Sequence, residues 1–222
     1  MPVRLRPGGS TVIALDGGRA RHAVAVTGGE IIAAGDGGLR LRATEAGRYT
    51  ATPESGTVKR VAVPAVSAGQ QLDDWTLSVD DWHRGTDGQR AVTTRRLDMD
   101  GLQPWSDIPE LQDVSGVGTY RTTVRLTRFD GAYLDLGQVT DTFEVTVNGK
   151  VLPPPDQISR RLDLAGHLAE GTSTISVRVA TTLRNRLRMT DGYSAQTQMP
   201  RQRYGLIGPV RITPYREVPI RG

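Results

Sequence analysis

The chain of 222 residues contains no cysteine, so disulfide bonds cannot contribute to its stability. This absence is compatible with either side of a membrane and leaves the compartment open. Long hydrophobic runs are missing too, and no segment approaches the roughly 20 apolar residues that a transmembrane helix needs. The N-terminal sequence MPVRLRPGGS has no apolar core, which predicts a chain without a signal peptide and is consistent with a piece excised from a longer protein.

Lysine is nearly absent: Lys59 and Lys150 are the only two, although the net charge is +4 and the pI about 9.7. A basic chain can bind nucleic acid when its charges gather in one block. Here the arginines are spread along alternating segments, as shown by Arg121, Arg125, Arg178 and Arg211. This distribution favours a solvated sheet face, and we expect neither nucleic acid nor a membrane as a partner.

Helical patterns are scarce, and only DIPELQD and LAGHLAE could each form a single helical turn. Residues 1–66 instead contain short alternating segments separated by glycine pairs, which is typical of a small sandwich or meander. The stretch from Glu45 to Pro64 looks like the last hairpin of an immunoglobulin-like module, with Tyr49 pointing inward. We predict a small support domain over residues 1–68, either a meander or the trailing part of a domain whose beginning was removed.

The polar, small-residue stretch from Ala65 to Gln71 is the predicted linker, and a second domain is predicted over residues 69–222. Its most informative part runs from Leu134 to Leu187. Asn148-Gly149 stands between two alternating runs, and this dipeptide is the strongest short-range signal for a β-hairpin because a type I′ turn needs positive φ at both central residues. Asp163 is placed to cap the following turn, and Gly171 to end it.

Alternation in these runs predicts a core between two sheets of an antiparallel β-sandwich. Trp75 and Tyr120 are assigned to that core. The other side chains expected to point inward are Leu134, Leu136, Val145, Val147, Ile175, Val177 and Val179.

Four motifs in order carry a family resemblance: SGVGTYRTTVRL, LDLGQVTDTFEVTVNGKVLPPP, RRLDLAGHLAEGTSTISVRVATTLRNRL and YGLIGPVRITPY. They resemble the galactose-binding-like, sugar-binding jelly roll of glycoside hydrolase family 2. The similarity is greatest to the version in the C-terminal region of α-L-rhamnosidase-type bacterial enzymes of glycoside hydrolase family 106. It covers roughly residues 72–217, and Ser173 stands where the family usually has asparagine.

The resemblance implies an all-β protein, in which a small Ig-like or meander segment precedes a jelly-roll β-sandwich. It also implies secretion or a place on the cell surface, polysaccharide as a ligand, and the catalytic domain of the parent chain as a partner. In such enzymes the catalytic carboxylates lie in a separate barrel. No cofactor is expected, although a structural calcium is a family property that the sequence does not locate.

Candidates for catalysis are weak. A glycosidase needs two carboxyl groups beside the scissile bond, and the pairs that are near in sequence all sit by turns: Asp73/Asp74, Asp80/Asp81, Asp98/Asp100 and Asp141/Glu144. The Asp98-x-Asp100-Gly101 sequence lacks the later ligands of a full calcium loop. Without cysteine or a serine elbow, no nucleophilic constellation is evident. We predict no catalytic residue in this chain.

Sugar binding needs an aromatic ring against the sugar face and polar side chains for the hydroxyl groups. The candidate residues for carbohydrate binding are Trp82, Trp105, Asp113, Arg160, Asn185, Tyr193 and Tyr204. Trp82 and Trp105 could equally be buried. Asn185 and Arg186, in the NRL motif, are expected rather to fasten the strand end to the YGLIGP segment.

The function predicted first is therefore a non-catalytic, carbohydrate-binding accessory module of a multidomain glycoside hydrolase. The alternative is a purely structural or interaction module without affinity for sugar. A small complete enzyme ranks last.

Overall fold

The computed structural model describes residues 23–35, 38–153, 160–190, 192–193 and 198–221. Within these ranges the chain is built from antiparallel β-sheets with a few short helical turns, which confirms the prediction of an all-β protein. The first alternating segment of the N-terminal part, STVIAL at residues 10–15, and the last two prolines of the motif LDLGQVTDTFEVTVNGKVLPPP lie outside the described residues.

From residue 23 onward, the described N-terminal part contains five strands, close to the predicted alternating segments. They are β1 (Ala23–Val26), β2 (Glu30–Ala33), β3 (Leu39–Ala43), β4 (Gly47–Pro53) and β5 (Lys59–Val63). Strands β1, β4 and β5 form a three-stranded sheet, and β2 pairs with β3. A small core lies between them, made of Leu41, Ala43, Val61 and Val63 with Tyr49 packed against it.

The larger part carries twelve named strands. They are β6 (Gln70–Leu72), β7 (Asp74–Arg84), β8 (Arg90–Asp100), β9 (Gly116–Leu126), β10 (Gly131–Asp135), β11 (Gln138–Thr140), β12 (Thr142–Val147), β13 (Lys150–Val151), β14 (Arg161–Asp163), β15 (Gly171–Ala180), β16 (Gly205–Gly208) and β17 (Val210–Pro219). Two 3₁₀ turns (Trp105–Asp107 and Pro109–Leu111) precede β9, and the helix α1 (Arg184–Leu187) follows β15.

Two sheets enclose the main core. One has the order β13-β12-β15-β9-β7-β8, and the other contains β14, β10 and β17, with β6 beside β17. Trp75 and Tyr120 are buried as predicted. All seven of the aliphatic residues predicted to point inward are fully buried: Leu134, Leu136, Val145, Val147, Ile175, Val177 and Val179.

The predicted turn chemistry is also observed. Asn148 and Gly149 have φ of 50° and 80°, so the hairpin between β12 and β13 uses positive φ at both positions. The Asp163 carboxylate accepts a hydrogen bond from the backbone N–H of Ala165 (3.0 Å). Ser173, the departure from the family pattern, is buried, and its hydroxyl contacts the Asn148 amide (3.2 Å) and accepts from the backbone N–H of Ala169 (3.0 Å). The serine therefore provides a hydrogen-bond acceptor for both the Asn148 side chain and the Ala169 N–H.

Strand β17 belongs to both parts of the molecule. Its first half pairs with β10 and β6, whereas Arg216 to Pro219 pair with Ala43 to Arg40 of β3. Val218 and Ile220 pack against the small N-terminal core. The C-terminal end of the chain thus completes the N-terminal sheet, a pairing that no local pattern predicts.

An ion-pair cluster reinforces this junction, and we call it the Arg42 cluster: Glu30, Arg42, Tyr133, Asp163, Tyr215 and Glu217. The Arg42 guanidinium donates to Glu217 (2.6 Å), to the Asp163 carboxylate (2.8 Å) and to the Tyr133 hydroxyl (2.8 Å). It also lies 4.1 Å from the centre of the Tyr215 ring. One side chain of β3 therefore contacts β10, β14 and β17 at once.

Candidate functional site

One end of the sandwich collects most of the side chains that sequence patterns mark as functional. There β7 ends and β9 begins, and β15 leads into α1. The backbone N–H of Trp82 donates to the Ser115 carbonyl (2.9 Å), and that of Thr181 to the Gly116 carbonyl (2.9 Å). These bonds fix the three strand ends beside α1 and the Gln202–Tyr204 segment.

Four buried polar residues at this end, together with the partly exposed Arg186, form what we call the end cluster: Asp81, Ser115, Asn185, Arg186 and Tyr204. Asp81 is 3% exposed and forms ion pairs with Arg186 of the helix and, at 3.4 Å, with Arg95 of β8. A buried carboxylate that loses its ion-pair partners destabilises the folded state, because its charge is then neither hydrated nor paired. Asp81 therefore anchors α1 to the sheet.

Asn185 is fully buried, and both ends of its amide bind the chain itself. Its Nδ2 donates to the Gln202 carbonyl (2.9 Å), and its Oδ1 accepts from the Gln202 N–H (2.8 Å). Its backbone N–H donates to the Tyr204 hydroxyl (2.8 Å), which also contacts the Ser115 hydroxyl (3.2 Å). These contacts fasten the NRL motif to the segment that precedes β16.

Trp105 and Tyr204 are core residues in this structure. Both rings are fully buried and meet edge to face with their centres 6.1 Å apart. The Trp105 Nε1–H donates to the Tyr120 hydroxyl (2.6 Å). Burial raises the pKa of Tyr204, against the lowering effect of its hydrogen bonds with Ser115 and Asn185. Neither ring presents a face to solvent, on which a sugar would have to stack.

Trp82 has the opposite environment. Its ring is 37% exposed at the end of β7. Its cross-strand neighbour on β8 is Val92, which is also exposed. The Arg90 guanidinium lies 5.5 Å from the ring centre, within the range of a cation–π contact. Trp82 therefore presents an exposed aromatic ring beside the end cluster, with Arg90 in contact with it.

The remaining predicted residues divide between this end and the rest of the molecule. Asp113 is bound on both oxygens by Arg201, at 2.9 and 3.0 Å, and this contact raises the pKa of the arginine. Tyr193, 44% exposed, follows α1 and donates its backbone N–H to Thr190 (3.3 Å). Arg160 lies apart, where its carbonyl accepts from Leu136 beside β14.

The two carboxylates of the pair Asp80/Asp81 lie on opposite faces of the sheet. Asp80 points outward and accepts from Thr94 (2.8 Å), whereas Asp81 is buried in its ion pairs. Asp141 has φ of 71° and a buried Oδ2 without a hydrogen-bond partner. Burial raises the pKa of the Asp141 carboxyl, against the effect of a hydrogen bond from the Thr182 backbone.

Two observations concern metals and membranes. Among the described residues, no group of three or more His, Cys, Asp or Glu side chains is arranged to hold a metal ion. In the same part of the chain, no helix has the length and apolar character needed to cross a membrane.

Comparison with known proteins supports the fold. No protein-family model matches the chain, and no curated protein matches its sequence. Among solved structures, a rhamnosidase from Novosphingobium sp. PP1Y has 20% identity and a TM-score of 0.54, and the match covers 85% of this chain and 24% of the rhamnosidase. At this identity the match shows a shared fold, and the chain spans about a quarter of that enzyme.

Two other glycosidase structures are similar at lower scores. A GH2 beta-galacturonidase from Eisenbergiella tayi has 17% identity and a TM-score of 0.43, covering 66% of this chain and 24% of that one. A beta-glucuronidase from Faecalibacterium prausnitzii has 15% identity and a TM-score of 0.43, covering 73% and 37%. In both, as in the rhamnosidase, the match is limited to part of the enzyme.

Proposed function

We propose that this chain is a non-catalytic, carbohydrate-binding accessory module of a multidomain glycoside hydrolase. Its sandwich would be a galactose-binding-like jelly roll, joined in the parent chain to a catalytic domain and acting outside the cell or at its surface. The fold that the chain shares with part of a rhamnosidase supports its assignment to a glycoside hydrolase. The observation that supports sugar binding is the exposed Trp82 ring beside the hydrogen-bonded end cluster.

Trp82 fits this role for physical reasons. An exposed indole offers a flat apolar face to the C–H groups of a sugar ring. The backbone that carries it is held by the hydrogen bond from the Trp82 N–H to Ser115 and by the ion pairs of the neighbouring Asp81. Because the support is already ordered, little conformational entropy is lost when a ligand binds. Tyr193 and Asp113 lie on the segments around the same end, at the proposed rim.

Affinity electrophoresis on a panel of plant and bacterial polysaccharides tests the proposal. We expect the chain to be retarded by at least one polysaccharide and Trp82→Ala to abolish the retardation. Val151→Ala is the matched control, because Val151 is an exposed apolar residue (56%) at the opposite edge of the same sheet. Unchanged retardation of the Trp82 variant would refute the aromatic platform, and turnover of aryl-glycosides by the chain would refute the non-catalytic role.

The second candidate function is a structural or interaction module without affinity for sugar. The burial of Trp105 and Tyr204 favours it, because two of the rings predicted to bind sugar are core residues. The absence of retardation on every polysaccharide would leave this alternative.

A further inference from the structure

The outward face of the six-stranded sheet carries two adjoining grooves, away from the end cluster. One, of about 380 Å³, lies over the ends of β7 and β8, and the other, of about 470 Å³, lies over their middle. Both are lined by Thr76, Asp98 and Arg121. We call the second one the arginine groove; its lining residues are Thr76, Leu77, Ser78, Arg96, Leu97, Asp98, Thr119 and Arg121.

Strand register explains the shape of the arginine groove. Ser78 on β7 lies opposite Arg96 of β8 on one side and opposite Thr119 of β9 on the other. Thr76, two residues away on the same face, lies opposite Asp98 and Arg121. Short hydroxyl side chains therefore form the floor. The two arginines stand on strands about 10 Å apart, since neighbouring strands are separated by roughly 4.8 Å.

The two arginines of this groove have no ion-pair partner in the part of the chain that the structure describes. Neither Arg96 nor Arg121 forms an ion pair or side-chain hydrogen bond there, whereas Arg42, Arg186, Arg201 and Arg216 all do. A guanidinium without an internal partner retains all five N–H donors for an external anion. Asp98 is the one carboxylate in the lining, so the arginine groove itself has a positive excess, whereas Asp74 and Asp100 line only the adjoining groove.

We propose that the arginine groove binds an acidic sugar, a unit with a ring carboxylate. Arg96 and Arg121 would hold the carboxylate, since guanidinium groups match carboxylates through paired hydrogen bonds. Asp98 would accept, and the Ser78, Thr76 and Thr119 hydroxyls would donate or accept, hydrogen bonds with the sugar hydroxyls. The inference rests on the proposed carbohydrate-binding function but concerns a second surface, about 13 Å along β7 from Trp82.

Isothermal titration calorimetry with hexagalacturonate and with neutral cellohexaose tests the proposal. We expect tighter binding of the acidic ligand, a loss of roughly tenfold or more in Arg96→Ala and in Arg121→Ala, and weaker binding as salt is raised to about 0.5 M. Arg125→Ala is the matched control. It removes an exposed arginine of the same strand and face that lines neither groove, so its affinity should change little.

The outcomes separate this proposal from the proposed function. Equal binding of the acidic and neutral ligands, or an equal loss in Arg125→Ala, would overturn the arginine groove while leaving sugar binding intact. Binding of hexagalacturonate that survives Trp82→Ala but not Arg96→Ala would support the groove as a surface separate from Trp82. Binding of neither ligand would overturn the arginine groove as a site for acidic sugars.

Discussion

The hydroxyl group of Tyr120 accepts two hydrogen bonds inside the main core, from Trp105 Nε1 (2.6 Å) and from the backbone N–H of Leu206 (3.1 Å). Burial raises the pKa of Tyr120 to about 12, because a phenolate would lose its hydration there. The pKa of Tyr133 is also raised to about 12, mainly by burial. Both groups are therefore more strongly protonated when folded than when unfolded.

Linkage fixes the sign of the resulting pH dependence. An unfolded tyrosine ionises near about pH 10, so the folded and unfolded chains bind equal numbers of protons below that pH. Between about pH 10 and pH 12 only the unfolded chain loses them, and the free energy of unfolding falls. We expect urea denaturation to give constant stability from pH 8 to 9.5 and a progressive loss above pH 10.

Tyr120→Phe is the control for this prediction. It should lower stability at neutral pH by about 1–3 kcal/mol, since two buried N–H groups lose their acceptor. Its alkaline loss should nevertheless be smaller than that of the wild-type chain, because one titrating group is removed. An unchanged alkaline slope in this variant would show that Tyr120 does not titrate over this range.

The contrast between Trp82 and Trp105 shows what the sequence can predict at single residues. Trp75, Leu77 and Val79 alternate inward along β7, and continuing this phase places Asp81 inside and Trp82 outside, as observed. The exposure of Trp82 was therefore open to prediction. Trp105 lies in a short 3₁₀ turn without such a phase, and its burial depends on Tyr120 and Tyr204, both distant in sequence.

At the scale of elements, the connection between β3 and the sandwich depends on Arg42. Its side chain is 13% exposed and pairs with two carboxylates, Asp163 and Glu217. Arg42→Ala would remove the cation that these two partly buried carboxylates share, leaving Glu217 with Arg40 and Asp163 with the Tyr215 hydroxyl. We expect a loss of about 2 kcal/mol in the free energy of unfolding, between the values for surface and buried ion pairs. Chemical denaturation monitored by tryptophan fluorescence measures it.

Arg40→Ala is the matched substitution on the same strand and face. The Arg40 side chain is 39% exposed and lies 3.6 Å from Glu217, so its loss should cost under about 1 kcal/mol. Similar losses for the two variants would mean that the cluster contributes no more than an ordinary surface ion pair.

The same cluster shows why part of the element arrangement was beyond sequence reasoning. Hairpins such as β4–β5 and β12–β13 depend on neighbouring residues and turn chemistry, and alternation with turn signals predicted them. The pairing of β3 with β17 joins residues more than 170 positions apart in the chain, for example Arg42 and Glu217. Nothing local to LRLRA or to the C-terminal segment specifies that partner.

At the scale of the whole molecule, strand β17 pairs with strands of both parts, which affects how the chain divides into domains. The predicted boundary between residues 68 and 69 separates the two hydrophobic cores, yet residues 216–220 pair with or pack against the N-terminal one. We propose that the N-terminal unit consists of its five strands together with the end of β17. It would then depend on the C terminus, despite the predicted linker.

Truncation after Tyr215 tests this division. The main core retains its strands, whereas β3 loses its partner, Arg42 loses Glu217, and Val218 and Ile220 no longer cover the small core. In hydrogen exchange we expect the amides of β3 to lose protection by an order of magnitude or more, while β9 and β15 stay protected because their ladder is untouched. Truncation after Ile220 is the control and should leave both sets unchanged. Full protection of β3 in the shorter chain would instead favour an independent N-terminal domain that ends before residue 69.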